Sequence, residues 1–282
     1  MERKRAAFAG SWYPEKANEC ENEIKGFLTE KKGPLKGNFK AGIVPHAGWY
    51  FSGSIACRVI ASMQAEKVDV VVIFGMHMHK GSMPCVMTKG AWETPFGDLL
   101  IHNQLALKLA EKNHMKTETP SSFPRENTIE LQLPFINYFF PGVSIVPVGL
   151  PPSSLAAEIG KSAVEAAKEL GLNIIVIGST DLTHYGANFG FVPAGSGEKA
   201  HEWVRNENDK KAVNAILDMD ESRIIAEGSK NHNLCCAGAV AAAVAGAKQM
   251  GAVRAVKLDY ATSYEKNPGD SFVGYCGILF EK

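Results

Sequence analysis

The chain has 282 residues, 45% of them hydrophobic, and its 30 basic and 30 acidic side chains cancel to a formal net charge of zero. That length supports one large buried core or two smaller ones, and no block of like charge is long enough for a nucleic-acid or acidic-membrane surface. No apolar run approaches the roughly 20 residues of a membrane helix, and the basic opening Met1-Glu2-Arg3-Lys4-Arg5 precedes no apolar signal region, so a soluble, cytoplasmic protein is expected.

The predicted elements alternate along the chain. Residues 16–31 have a helical pattern, with Glu and Lys interspersed among Ile24, Phe27 and Leu28. Residues 40–45 form the first core strand, and 53–65 a helix opening at Gly53-Ser54. A second strand spans 69–75. A shorter one at 84–88 leads into a turn-rich stretch ending near Gly97. Residues 103–113 are helical, with Leu105, Leu107, Leu109 and Ala110 apolar. A helix over 128–139 is interrupted near Pro134, because proline removes a helix hydrogen bond. Val143 to Leu150 is a third strand, followed by a strong helix at 154–170 and a fourth strand at 173–178. Helices near 198–217 and 236–250 come next. Val253 to Tyr260 and Phe272 to Phe280 close the chain as strands.

This alternation predicts an α/β fold: a single domain over residues 1–282, with a mainly parallel central sheet flanked by helices on both faces. The long loops at 76–100, 114–127 and 186–198 are candidate site walls, because long loops in compact domains are often functional.

The histidines fall where such a fold places its ligands. His46 follows the strand run Ala41-Gly42-Ile43-Val44. His77 and His79 follow Val70-Val71-Val72-Ile73, and His184 follows Ile174-Ile175-Val176-Ile177. Open α/β sheets bind ligands at the carboxyl ends of their strands, so these three clusters point to one shared site. His77 and His79 would share a direction in extended backbone, but a turn cancels that inference, and spacing does not choose between them. Asp181 and His184 lie three residues apart. On a helix they would share a face, and a carboxylate beside an imidazole raises its basicity for acid–base work. Alternatively, Ser179, Thr180 or Asp181 caps a short helix. Glu126 and Glu130 flank Asn127-Thr128-Ile129, where Asn127 or Thr128 fits a helix cap and Glu130 its first turn.

The six cysteines, at 20, 57, 85, 235, 236 and 276, form no CxxC pair, and a disulfide framework is not expected. Cys235 and Cys236 precede the small-residue run Ala237-Gly238-Ala239-Val240, and a helix N-terminus eases thiolate formation. Two imidazoles with a thiolate tolerate Zn, Cu or Fe, while two imidazoles with a carboxylate suit non-haem Fe(II). A G-x-S-x-G nucleophile elbow, a P-loop and a G-x-G-x-x-G dinucleotide turn are all missing.

The ordered motifs resemble the Memo family, whose microbial members are called AmmeMemoRadiSam system protein B. The resemblance runs nearly end to end. It is carried by Ala9 through Pro14, Pro45-His46-Ala47-Gly48-Trp49-Tyr50-Phe51-Ser52-Gly53, Thr94 through Leu99, Glu126 through Pro134, Ser179 through Gly186, and Gly269 through Tyr275. The family is structurally similar to class III extradiol dioxygenases, which implies a pocket at the sheet's carboxyl edge. The resemblance also implies a metal site of two histidines and a cysteine: His46, His79 as the better match to the second histidine, and Cys235. Asp181 and His184 match the acid–base pair, with Glu126 a further catalytic candidate. Two departures stand out. Asn127 occupies a position where the family often has histidine, and Cys236 stands where glycine usually follows the cysteine. The class implied is a metal-dependent oxidoreductase, dioxygenase-like, holding Fe(II) or Cu, with Zn as an alternative. Other readings are a ligand- or peptide-binding module that does not turn over, an accessory partner of a radical-SAM enzyme, and a metal-assisted hydrolase. A homodimer through strands near the termini is a further expectation. Fold likeness alone does not establish ring cleavage.

Overall fold

Four apolar runs lie side by side as parallel strands in the order Ser144–Gly149, Val70–Gly75, Ile174–Ser179, Phe39–Val44. The computed structural model describes residues 1–30, 33–63 and 67–282. Every residue of Val70–Gly75 and Ile174–Ser179 is buried, as continuous β-branched runs covered on both faces require. Their registers align, pairing Val44 with Ser179 and Gly75 with Gly149, so all four strands end at one edge.

Adjacent residues identify the two covered faces, because side chains alternate across a strand. A Cβ on Gly42 would meet Val59 and Met63, beside the helix Ser54–Ser62. A Cβ on Gly178, in register with Ile43, would meet Ala239 and Ala243 of the helix Ala237–Gln249. That second helix is buried almost throughout and packs against Ser154–Glu169. Their backbones approach so closely at Gly160 that a Cβ there would overlap the Ala242 carbonyl. The alanine run therefore sets the spacing of a helix layer.

Antiparallel strands flank this parallel core. Phe272–Glu281 runs antiparallel beside Phe39–Val44, and Arg254–Thr262 pairs with it, also antiparallel. The physical reason is the connection. Only a short segment containing the turn Ser263–Glu265 separates these last two strands, whereas a parallel pair needs a crossover of a dozen residues or more. On the far side, short strands at Cys85–Met87, Ala91–Trp92, Leu99–Ile101 and Lys116–Glu118 extend the sheet; three of these four were not predicted.

Helix boundaries differ from expectation in instructive ways. The expected ends of the first two helices at residues 31 and 65 lie outside the described residues; Ala17–Thr29 and Ser54–Ser62 are helical within them. The break near Pro134 falls just before it, between Asn127–Glu130 and Leu133–Phe139. Proline then sits in the first turn, where its missing N–H costs nothing. The 198–217 helix divides into Gly197–Trp203, a π-helical turn and Asp209–Leu217. Glu221–Asn231 is a helix that the apolar pattern does not mark; Asp220 caps it by accepting from Arg223 N–H. No helix among the described residues is long and apolar enough to cross a membrane.

Candidate metal centre

The site forms at the carboxyl edge of the parallel strands. His46 follows Phe39–Val44 and is almost fully buried. Its loop is pinned from two sides: Gln132 Nε2 donates to the Pro45 carbonyl at 2.8 Å, and Asn127 Nδ2 to the His46 carbonyl at 3.1 Å. The His46 backbone N–H donates to Asp181 Oδ1 at 2.7 Å.

The imidazole is held as firmly as the backbone. Ser179 Oγ lies 3.0 Å from His46 Nδ1 and donates its own hydrogen to the Thr128 carbonyl at 2.7 Å. Ser179 therefore accepts from Nδ1–H, which leaves Nε2 as the outward donor atom. Histidines that ligate metals are oriented in this way through the other ring nitrogen. Nε2 lies 3.3 Å from Cys235 Sγ.

Cys235 reaches the same point from the other side of the chain. It precedes the Ala237–Gln249 helix, and Asp181 N–H donates to its sulfur at 3.2 Å. Burial works against the thiolate, but the Cys236 thiol and the charge on His46 outweigh it and hold Cys235 well below the ordinary thiol range. Cys236 moves the opposite way, pushed up by burial and then by the neighbouring thiolate. Burial also opposes a charged His46, yet Asp181 and Cys235 prevail and push it up to about 9. An imidazole and a thiolate thus share a proton along a line that suits a soft cation equally well.

The second imidazole is His77. His46 Nε2 or Nδ1, a His77 ring nitrogen, and the sulfurs of Cys235 and Cys236 supply ligand atoms that all lie within 4.8 Å of one another. The His46 and His77 rings meet edge-on at 5.1 Å. His79, the better match by motif position, is exposed and does not belong to this group. The cause is local. Met76 adopts a left-handed φ of 74°, rare for a side chain with a Cβ, and its N–H is fixed by Thr128 Oγ1 at 2.7 Å. That turn ends the extended backbone before His77 and redirects the chain beyond it. Two imidazoles and two sulfurs fit Zn, Cu or an Fe centre by donor type.

Asp181 and His184 come together without a helix. Residues 180–183 are irregular and His184–Tyr185 is a short strand, so neither the shared helical face nor the helix cap at 179–181 forms. Asp181 Oδ2 stands 3.9 Å from Nε2 of both His46 and His184, beyond hydrogen-bond reach and close enough to act through charge. Burial opposes protonation of His184, but Asp181 and Cys235 raise it above the ordinary value. His184 Nε2 is buried with no hydrogen-bond partner among the described residues.

Glu126 is engaged elsewhere. It is itself the N-cap of Asn127–Glu130, accepting from Thr128 N–H at 2.9 Å and Ile129 N–H at 3.1 Å, and from the Thr128 hydroxyl. Its carboxylate faces its own helix, so the geometry gives it a structural task. Glu130 is structural too, accepting from Phe8 N–H at 2.7 Å and the Tyr13 hydroxyl at 3.2 Å.

A cavity of about 550 Å³ opens onto the group, lined by His46, His77, Asp181 and His184 with Trp12 and Phe189. A second cavity of about 450 Å³, also lined by His184 and Phe189, reaches Cys235. Each of the three predicted loop walls contributes: His77 from 76–100, Asn127 from 114–127 and Phe189 from 186–198. Ser179 and Asn127 were missed as site residues. For Ser179 the available signal was its place at the end of a strand that neighbours the His46 strand.

Fold and site together define an α/β protein with a histidine–cysteine group at the carboxyl edge of its sheet. The chain belongs to the Memo family: the family model described as Memo-like protein matches residues 4–279. A MEMO1 family protein of Pyrococcus furiosus is 35% identical over 291 residues, covering 99% of each chain. Another from Thermococcus onnurineus is 34% identical, covering 98% of each, and one from Pyrobaculum aerophilum 30%, covering 99% of each. The crystal structure of an uncharacterized protein from Escherichia coli K12 aligns at a TM-score of 0.48 and 11% identity, covering 85% of this chain and 99% of that one; it is too distant to carry an argument.

Proposed function

We propose that this chain is a metal-dependent oxidoreductase, dioxygenase-like in chemistry, acting on a small molecule that carries a ring hydroxyl. The observation that carries the reading is the convergence of His46 Nε2 and Cys235 Sγ at 3.3 Å, with His46 lining one cavity, Cys235 another, and His184 lining both. His46, His77 and Cys235 would hold the ion. A redox-active ion such as Fe(II) or copper would supply Lewis acidity and electron transfer there.

The protein's own residues supply the rest. His184 is the proton acceptor for a substrate hydroxyl, because it lines the cavity and its Nε2 has no hydrogen-bond partner among the described residues. Asp181 stabilises the imidazolium that results by charge, at 3.9 Å. Trp12 and Phe189 supply aromatic surface to the cavity that a planar substrate would pack against.

The test is metal content after anaerobic loading with Fe(II) or Cu(I). Wild-type protein is expected to retain about one ion per chain and His46→Ala to retain none. Equal retention by both would overturn the reading. A binding module without turnover draws support from the exposed Trp12, Tyr50 and Phe189 at the cavity mouth. It predicts that chelated protein still binds phenols and that loaded protein takes up no oxygen with them.

A further inference from the structure

We propose that Cys236 is a ligand of the same ion, so that the centre without substrate holds two imidazoles and two sulfurs. The proposal rests on the reading of the group as a metal centre and adds a fourth donor to it.

The first support is distance. A tetrahedral ion with metal–sulfur bonds of about 2.3 Å sets its two sulfurs about 3.8 Å apart, and a sulfur and an imidazole nitrogen about 3.6 Å apart. Cys235 and Cys236 sulfurs lie 3.7 Å apart, and Cys235 Sγ lies 3.3 Å from His46 Nε2. Both separations fall slightly short of the edges of such a tetrahedron, so the donors need part by only a few tenths of an ångström to admit an ion.

The second is backbone shape. Adjacent residues in a strand or a helix point away from one another. Cys236 is the N-cap of Ala237–Gln249, with φ −129° and ψ 53°, outside both regular conformations. Its N–H is held by Thr180 Oγ1 at 3.1 Å, and Cys235 N–H by the Asp181 carbonyl at 3.2 Å. The two sulfurs are thereby turned to the same side.

The third is the comparison with three other buried thiols; a fourth, Cys85, meets the Met76 thioether sulfur at 3.7 Å, outside the ligand group. Cys20 donates to the Pro14 carbonyl at 3.0 Å, Cys57 to that of Ile24 and Cys276 to that of Gly277. Those are packed thiols with ordinary backbone partners. The sulfur of Cys236 meets Cys235 Sγ instead, inside a group of ligand atoms spanning no more than 4.8 Å. With Cys236 bound, a position opens to substrate only when one donor leaves. Cys236 is the natural one to leave, because the proposed centre keeps His46, His77 and Cys235 without it.

Co(II) reports the sulfur count directly, since each bound thiolate adds near-ultraviolet charge-transfer absorption. The full chain, reduced and anaerobic, is titrated with Co(II) as wild type, Cys235→Ser, Cys236→Ser and Cys236→Ala, with circular dichroism confirming the fold of each. The expected result is that either single loss at Cys236 lowers the charge-transfer absorption per bound ion to about half, one sulfur remaining of two. Wild-type absorption in both Cys236 variants, with loss confined to Cys235→Ser, overturns the role of Cys236 and leaves the metal centre standing. A wild-type protein that binds no Co(II), or binds it without sulfur absorption, overturns the proposal and the underlying site together.

Discussion

Ser179 Oγ stands 3.0 Å from His46 Nδ1 while donating its hydrogen to the Thr128 carbonyl. One hydroxyl hydrogen committed to a carbonyl thus decides which nitrogen of His46 is left to face Cys235. The two residues are 133 positions apart, joined because the strands that end at Val44 and Ser179 are parallel neighbours.

Replacing Ser179 by alanine removes the acceptor that fixes the imidazole. Metal affinity is expected to fall by about 10- to 100-fold, the usual cost of losing an orienting partner. Competition with a chromophoric chelator measures it. Unchanged affinity would show that the ring needs no such hold.

His77 and His79 separate cleanly by substitution. His77→Ala should weaken metal binding at least as much as the Ser179 change, because it deletes a donor rather than its support. His79→Ala should leave affinity at the wild-type level, since that ring is outside the ligand group. The reverse ranking would mean that the Met76 turn opens when an ion binds.

The raised His46 gives metal binding a signed pH dependence. Its proton is held up to about 9, well above the ordinary histidine value of about 6.5, so an ion must displace it throughout the neutral range. Affinity should therefore rise with pH by about tenfold per unit or more, and flatten above the pH where that proton leaves unaided. Chelator competition across that range checks the slope. A flat profile through neutrality would contradict the shared proton between His46 and Cys235.

Two glycines on helices should respond in opposite directions. Gly160→Ala places a Cβ against the Ala242 backbone, which cannot yield. It should destabilise the fold by about 1–3 kcal/mol or more, the range for overpacking. Gly26→Ala meets nothing within 4 Å on the exposed face of Ala17–Thr29 and should stabilise by about 0.5–1 kcal/mol. Urea unfolding compares the two; equal effects would mean that the Gly160 contact relaxes.

Much of the architecture was legible beforehand, and the reason is locality. Val70-Val71-Val72-Ile73 and Ile174-Ile175-Val176-Ile177 are too continuously apolar to lie anywhere but in a doubly covered sheet, and the histidine after each strand marks the edge where ligands gather. His46 and Cys235 were readable as partners through the ordered motifs, and the structure brings their donor atoms to 3.3 Å. Apolar runs and motifs gave no notice of the Glu221–Asn231 helix, whose one buried residue is Ile224.

What the sequence determined by itself was the set of core strands, the edge at which the histidines collect and the family to which the motifs belong. The tertiary structure alone chose His77 over His79, turned Glu126 into a helix cap, brought Ser179 behind His46 and closed the sheet with antiparallel strands. The first set comes from continuous apolar runs and short motifs, which each segment carries within itself. The second depends on where a left-handed turn at Met76 sends the chain, and on side chains as far as 189 residues apart meeting at one point. Such meetings are fixed by packing the whole sheet, not by any stretch of it.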